Sequence, residues 1–142
     1  MIRRFEHNDL EQVMDIWLNE NIKAHSFIAK EYWMKNYEFV KSILPEAKIY
    51  VYTESNQILG FIGVNDNYIE GIFVRAEFHN KGIGTALLNQ IKQKYTQLIL
   101  KVYKKNKNAL AFYEHNKFKA IEENIDFETN ETELTMMWRK YE

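Results

Sequence analysis

Two short stretches hold the residues whose types and spacing suit chemistry. The first is Glu77-Phe78-His79-Asn80-Lys81-Gly82-Ile83-Gly84-Thr85-Ala86-Leu87-Leu88, which places two of the chain's five glycines one residue apart. A glycine inside a helix costs about 1 kcal/mol relative to alanine, so a pair at a helix start calls for an offsetting gain. A helix N-terminus presents unpaired N–H groups and the positive end of the macrodipole. Glycines there let an anion reach the backbone, and Lys81 adds a positive charge. A bound phosphate or pyrophosphate would account for both glycines; without a ligand the stretch is a tight strand-to-helix turn. A P-loop sequence is absent. The dinucleotide fingerprint fails because Leu87 stands where a third small residue is needed.

The second stretch is Asn106-Lys107-Asn108-Ala109-Leu110-Ala111-Phe112-Tyr113. Asn106 is placed to cap the first amides of a helix, and Ala109 leaves room three residues on. Tyr113 carries a hydroxyl, with an ordinary pKa of about 10, that can donate a proton. Core packing is the alternative role for Phe112 and Tyr113.

Alternating and helical periodicities supply the elements that must position these groups. Ile2 to Phe5 reads as a strand. Asn8 and Asp9 cap a helix through Trp17, and Ile22 to Ala29 reads as a loop. Lys30 to Leu44 is a second helix, ended at Pro45. Strands follow at Lys48 to Thr53, Gln57 to Val64 and Tyr68 to Arg75. A helix runs from Thr85 to about Tyr95, a strand from Leu98 to Tyr103, a helix from Asn106 to His115, and a hairpin from Phe118 to Trp138. The order is β-α-α-β-β-β-α-β-α-β-β, an α/β fold with a mixed sheet covered on both faces.

The 142 residues suit a single domain spanning 1–142. Net charge is −1, so no bulk field recruits nucleic acid. Cysteine is absent, which removes disulfides and cysteine nucleophiles. The four histidines lack metal-ligand spacing, so no metal is expected. The first residues do not form the apolar stretch of a signal peptide, and no run approaches a membrane span. A cytoplasmic protein with no membrane partner is expected.

Taken together, Ile72-Phe73-Val74, His79-Asn80-Lys81-Gly82-Ile83-Gly84, Asn106…Ala109…Phe112-Tyr113 and Phe118 resemble the GNAT superfamily of acyl-CoA-dependent N-acyltransferases. Its signature joins an apolar strand, a Gln/Arg-x-x-Gly-x-Gly/Ala loop and a helix to a later Asn-x-x-Ala-x-x-Phe/Leu-Tyr run followed by Gly-Phe. Two positions depart from it. His79 stands for Arg or Gln and changes charge near neutral pH. Lys117 stands for glycine, and Asn116 is expected to take the left-handed cap instead.

The resemblance implies a mostly antiparallel sheet with splayed parallel central strands, Ile69 to Arg75 and Leu98 to Tyr103, and Gly71 marking a bulge that aids the splay. It implies acetyl-CoA as co-substrate, with Ile72, Phe73, Val74, His79, Asn80, Lys81, Gly82, Ile83, Gly84, Thr85, Asn106, Ala109 and Phe112 as cofactor-binding residues. A primary amine would attack directly in a ternary complex, with Tyr113 as general acid. Glu70 is the first candidate base and His25 the second, with loss of the proton to water as the alternative. His25, Phe27 and Trp33 form the expected substrate-binding wall. The His-x-Phe followed by Tyr32-Trp33 resembles a bacterial subgroup that includes protein-lysine acetyltransferases. Lys101, Lys104, Lys105 and Lys107 read as a solvated strand end or as contacts to the 3′-phosphate. A non-catalytic CoA-binding or interaction module is the rival function, and a monomer or homodimer is expected.

Overall fold

The computed structural model describes residues 1–141. The chain runs β1 (Ile2–Arg4), α1 (Leu10–Ala24), α2 (Lys30–Ile43), β2 (Lys48–Glu54), β3 (Gln57–Asn65), β4 (Tyr68–Val74), α3 (Ile83–Lys92), β5 (Gln97–Tyr103), α4 (Lys107–His115), β6 (Lys119–Asp126) and β7 (Glu131–Arg139). The strands form one sheet in the order β1-β2-β3-β4-β5-β7-β6. Every neighbouring pair is antiparallel except β4 and β5.

Strand alternation, shifted in phase by a β-bulge of β3 opposite Tyr52 and Thr53, sorts the apolar side chains into two cores. Ile49 and Val51 of β2, with Ile58 and Phe61 of β3, pack with Val13, Met14 and Ile16 of α1. On the other face Leu87, Leu88 and Ile91 of α3 bury against Leu98, Leu100, Val102, Met136 and Trp138. A helix pair therefore covers each face, as the alternation in the sequence requires.

Several boundaries differ from the sequence expectation. α1 continues to Ala24, so the loop is only His25 to Ala29. Its last turns hold by buried polar bonds rather than by an apolar stripe: Glu20 accepts the Ala76 N–H at 3.2 Å, and the Asn21 carbonyl lies 2.9 Å from Nδ1 of His25. α3 starts at Ile83, placing Gly84 inside its first turn. At the end of α4 the left-handed residue is Lys117 (φ 74°), not Asn116 (φ −93°). The Lys117 N–H bonds the Glu114 carbonyl at 3.1 Å and the Phe118 N–H bonds the Tyr113 carbonyl at 3.0 Å, which is the Schellman pattern. Asn116 stays helical in hand because its side chain donates back to the Phe112 carbonyl at 2.9 Å.

Candidate active site

A cleft of about 1340 Å³ opens between α1, β4, β5, α3 and α4. The parallel pairing of β4 with β5 covers only Tyr68 opposite Ile99 and Ile69 opposite Leu100. Beyond it the two strands part. The Arg75 N–H bonds the Leu59 carbonyl at 2.8 Å, so Arg75 and, by alternation, Phe73 form the hydrogen-bonded pairs with β3. Ile72 and Val74 therefore turn their N–H and C=O groups into the gap. A β-bulge lies at this point: Gly63 opposes Gly71 and Val64 opposes Ile69, leaving Glu70 unopposed. Strict alternation thus does not set the direction of Glu70. It lines the cleft and accepts a 2.8 Å bond from Asn65 Nδ2.

The two glycines of the loop do different work. Gly82 is the N-cap of α3 at φ 82°, a backbone state that favours glycine. A Cβ there would meet nothing within 4 Å, so the amides of the first turn stay open to the cleft. At Gly84 a Cβ would stand 3.1 Å from Cζ of Phe112. This close approach locks the first motif onto the second. Asn80, Gly82, Ile83, Gly84 and Thr85 line the cleft, while Lys81 is exposed outside it.

Asn106 caps α4, its Oδ1 accepting the Ala109 N–H at 3.2 Å. Ala109, Phe112 and Tyr113 reach the cleft. Tyr113 is only 7% exposed. Burial, followed by the nearby Tyr68, pushes its phenol well above the ordinary range, so it stays protonated as a donor. Tyr68 is in turn pushed up to about 12, first by burial, then by Glu70 and Glu133. Burial also raises the Glu133 carboxyl, with Asp126 adding to the rise and Lys101 opposing it. Tyr113, Tyr68, Glu70 and Glu133 all line the cleft. Tyr68 and Glu133 escaped sequence reasoning. Glu133 joins the site because β7 sets it opposite Tyr103, a pairing across 30 residues of chain.

His25 lines the cleft, stacked on Trp33 at 5.1 Å, while Phe27 packs edge-on against His25 and Tyr103 without lining the cleft. His79 lines it too, with Nε2 2.7 Å from the Val74 carbonyl oxygen and 3.7 Å from Glu20. Three lysines near the second motif make ion pairs: Lys104 with Glu123, Lys105 with Glu131 and, at 4.0 Å, Lys101 with Glu133. Lys101, Lys105 and Lys107 also line the cleft.

The family model for the acetyltransferase (GNAT) domain matches residues 15–140. The chain belongs to the GNAT acetyltransferase family. This GNAT enzyme is 29% identical over 140 residues to peptidyl-lysine N-acetyltransferase YiaC of Escherichia coli strain K12, covering 97% of this chain and 96% of that one. It is 29% identical over 119 residues to peptidyl-lysine N-acetyltransferase YjaB of the same organism, covering 83% and 81%. The solution structure of apo-form YjaB from Escherichia coli matches with a TM-score of 0.86 at 26% identity, over 97% and 96% of the two chains. PaiA N-acetyltransferase from Thermoplasma acidophilum, in complex with coenzyme A, matches in fold with a TM-score of 0.84 at 19% identity, over 98% of each chain.

The residues of this GNAT chain fit an acyl-CoA. The open amides at Gly82 to Thr85 suit a pyrophosphate. The outward-turned groups of Ile72 and Val74 suit an extended amide-bearing arm. No helix among the described residues is long and apolar enough to cross a membrane.

Proposed function

We propose that this GNAT enzyme transfers an acetyl group from acetyl-CoA to the side-chain amine of a lysine in a peptide or protein, by direct attack in a ternary complex. The observation that carries this reading is the meeting, in one cleft, of the open α3 N-terminus, the β4 edge at Ile72 and Val74 that has no strand partner, and Tyr113. Acetyl-CoA supplies an activated thioester carbonyl. The N–H groups of Ile72 or Val74 face the gap in which oxyanion charge would develop, and such preorganised donors stabilise it. The amine nitrogen forms the new C–N bond as the C–S bond breaks. Tyr113 gives its proton to the departing sulfur and regains one from solvent. The excess proton on the nitrogen passes to Glu70 or to water.

A lysine acceptor is supported by two features. The relatives YiaC and YjaB are named peptidyl-lysine N-acetyltransferases. The cleft is also lined by Glu70, Glu133, Trp33 and Tyr103, a set of carboxylates and rings that would suit a cation on an aliphatic stem. The deciding experiment incubates the protein with acetyl-CoA and a panel of lysine peptides and free amines, with products read by mass spectrometry. Acetylated lysine is the expected product. Coenzyme A binding by calorimetry without turnover on any amine would identify a binding module instead.

A further inference from the structure

α1 and α4 cover opposite faces of the sheet, yet their ends are joined across the cleft by a short polar bridge. Nδ1 of His25 lies 2.9 Å from the Asn21 carbonyl oxygen. A carbonyl only accepts, so Nδ1 carries the proton. Nε2 of the same ring lies 3.3 Å from Nδ2 of Asn106. The Asn106 amide is itself oriented, because its Oδ1 must face the Ala109 N–H that it caps at 3.2 Å. Nδ2 therefore donates, and Nε2 of His25 accepts. The two orientations are fixed independently, by Asn21 and by Ala109, and their meeting requires a neutral imidazole.

The surroundings hold the ring in this state. His25 is 9% exposed. It stacks on Trp33 of α2 at 5.1 Å and meets Phe27 of the loop at 5.7 Å and Tyr103 of β5 at 5.2 Å, both edge-on. The facing groups are thus the Asn21 carbonyl from α1, Trp33 from α2, the Tyr103 phenol from β5 and the Asn106 amide. Lys105 stands over the Phe27 ring, 5.6 Å from its centroid. Desolvation holds the imidazole pKa below its ordinary value, opposed only by the Asn21 bond.

We propose that His25 is a positioning residue. As the neutral Nδ1–H tautomer it fixes the Asn106 amide, and through it the first turn of α4, against the loop that borders the acceptor side of the cleft. Tyr113 lies seven residues beyond Asn106, two helical turns or about 10.5 Å along the axis. A tilt at the first turn therefore displaces the phenol from the reacting sulfur. The Nε2 lone pair is engaged by Asn106, so His25 does not take the amine's proton. The consequence for rate rests on the acetyl-transfer reading above; the bridge itself does not.

The bridge is tested without substrate by nitrogen-15 NMR of the full chain labelled at histidine. The expected spectrum has His25 protonated on Nδ1 and bare on Nε2, with its titration below the ordinary histidine range. In Asn106→Asp a carboxylate oxygen faces Nε2, and His25 is expected to become an imidazolium with its titration moved upward. An Nε2–H tautomer, or a titration that Asn106→Asp does not move, overturns the proposal. The kinetic test is a double-mutant cycle. His25→Ala and Asn106→Ala are each expected to lower kcat/KM by about tenfold to a hundredfold, with the double variant no worse than the poorer single. His25→Gln, which can place an amide oxygen near the Nε2 position, is expected to recover most of the loss. Additive losses, or Gln no better than Ala, overturn the positioning role. Should the tautomer stand while no amine is acetylated, the functional reading fails and the bridge survives.

Discussion

Nε2 of His79 sits 2.7 Å from the carbonyl oxygen of Val74, five residues earlier in the chain. Val74 is one of the two β4 residues whose backbone groups turn into the gap, so the loop's own imidazole covers a group that a ligand arm would otherwise meet. Glu20, 8% exposed, stands 3.7 Å behind the same nitrogen. The ring is thereby tied to the strand and to α1. Anion binding then falls to the α3 amides. His79→Ala is expected to change the Kd for coenzyme A by less than about threefold, with little variation from pH 6 to 8, by calorimetry. A Kd that climbs tenfold over that range in the unaltered protein would make His79 a working cation.

Tyr113→Phe removes the hydroxyl and keeps the ring that packs against Phe112 and Phe118 at 5.2 and 5.6 Å. We expect kcat to fall by about 10² while coenzyme A affinity holds. Because burial raises this phenol, the proton is retained above the ordinary tyrosine range, and Tyr113 should give no alkaline limb below pH 10. Unchanged turnover in the variant would remove the acid role.

Glu133→Gln should weaken amine binding and stabilise the fold at once. The carboxyl is raised in the folded state, so its unfavourable effect is absent below the unfolded-state pKa. It develops as pH rises through the folded-state pKa. The variant should therefore match the parent in thermal midpoint at acid pH and exceed it at pH 7, while KM for a lysine peptide rises. A midpoint lowered at pH 7 would contradict the assignment.

Gly84 touches Phe112, with 3.1 Å left for a Cβ. Gly84→Leu should cost about 1–3 kcal/mol from overpacking, partly offset by about 1 kcal/mol of helix propensity. Phe112→Leu in the same chain should recover part of the loss by opening the contact. Urea midpoints of the two singles and the double measure this, and strict additivity would mean that the two motifs do not press on each other.

Lys117 holds φ 74° at the end of α4. The left-handed state costs about 1–2 kcal/mol for a residue with a Cβ, against roughly 0.5–1 kcal/mol of extra chain entropy for glycine. Lys117→Gly should therefore stabilise by about 0.5–1 kcal/mol. It also removes a like charge that, after burial, lowers the Lys92 ammonium. A drop in thermal midpoint would show that the lysine side chain contributes more than its backbone state costs.

Most of the architecture could be read along the chain, because strand and helix periods are local signals. Tyr50 and Val51 fall to opposite cores by alternation alone. The glycine loop and the Asn106 to Tyr113 run also announced themselves, since a helix start and an amide cap are made by neighbours in sequence. The ends of elements were harder where polar bonds replaced apolar ones. Glu20 and Asn21 extend α1 through partners at Ala76 and His25, which no periodicity counts.

What the sequence determined by itself was the element order and the two motifs, each built from near neighbours in the chain, and the family that the motifs in their order resemble. What only the tertiary structure decided was how those motifs meet. The Gly84 contact with Phe112, the bulge that frees Glu70 from alternation, the arrival of Glu133 opposite Tyr103 and the bridge from His25 to Asn106 all depend on strand register and helix placement. Such contacts join positions that no local pattern relates, and their geometry exists only once both cores are packed.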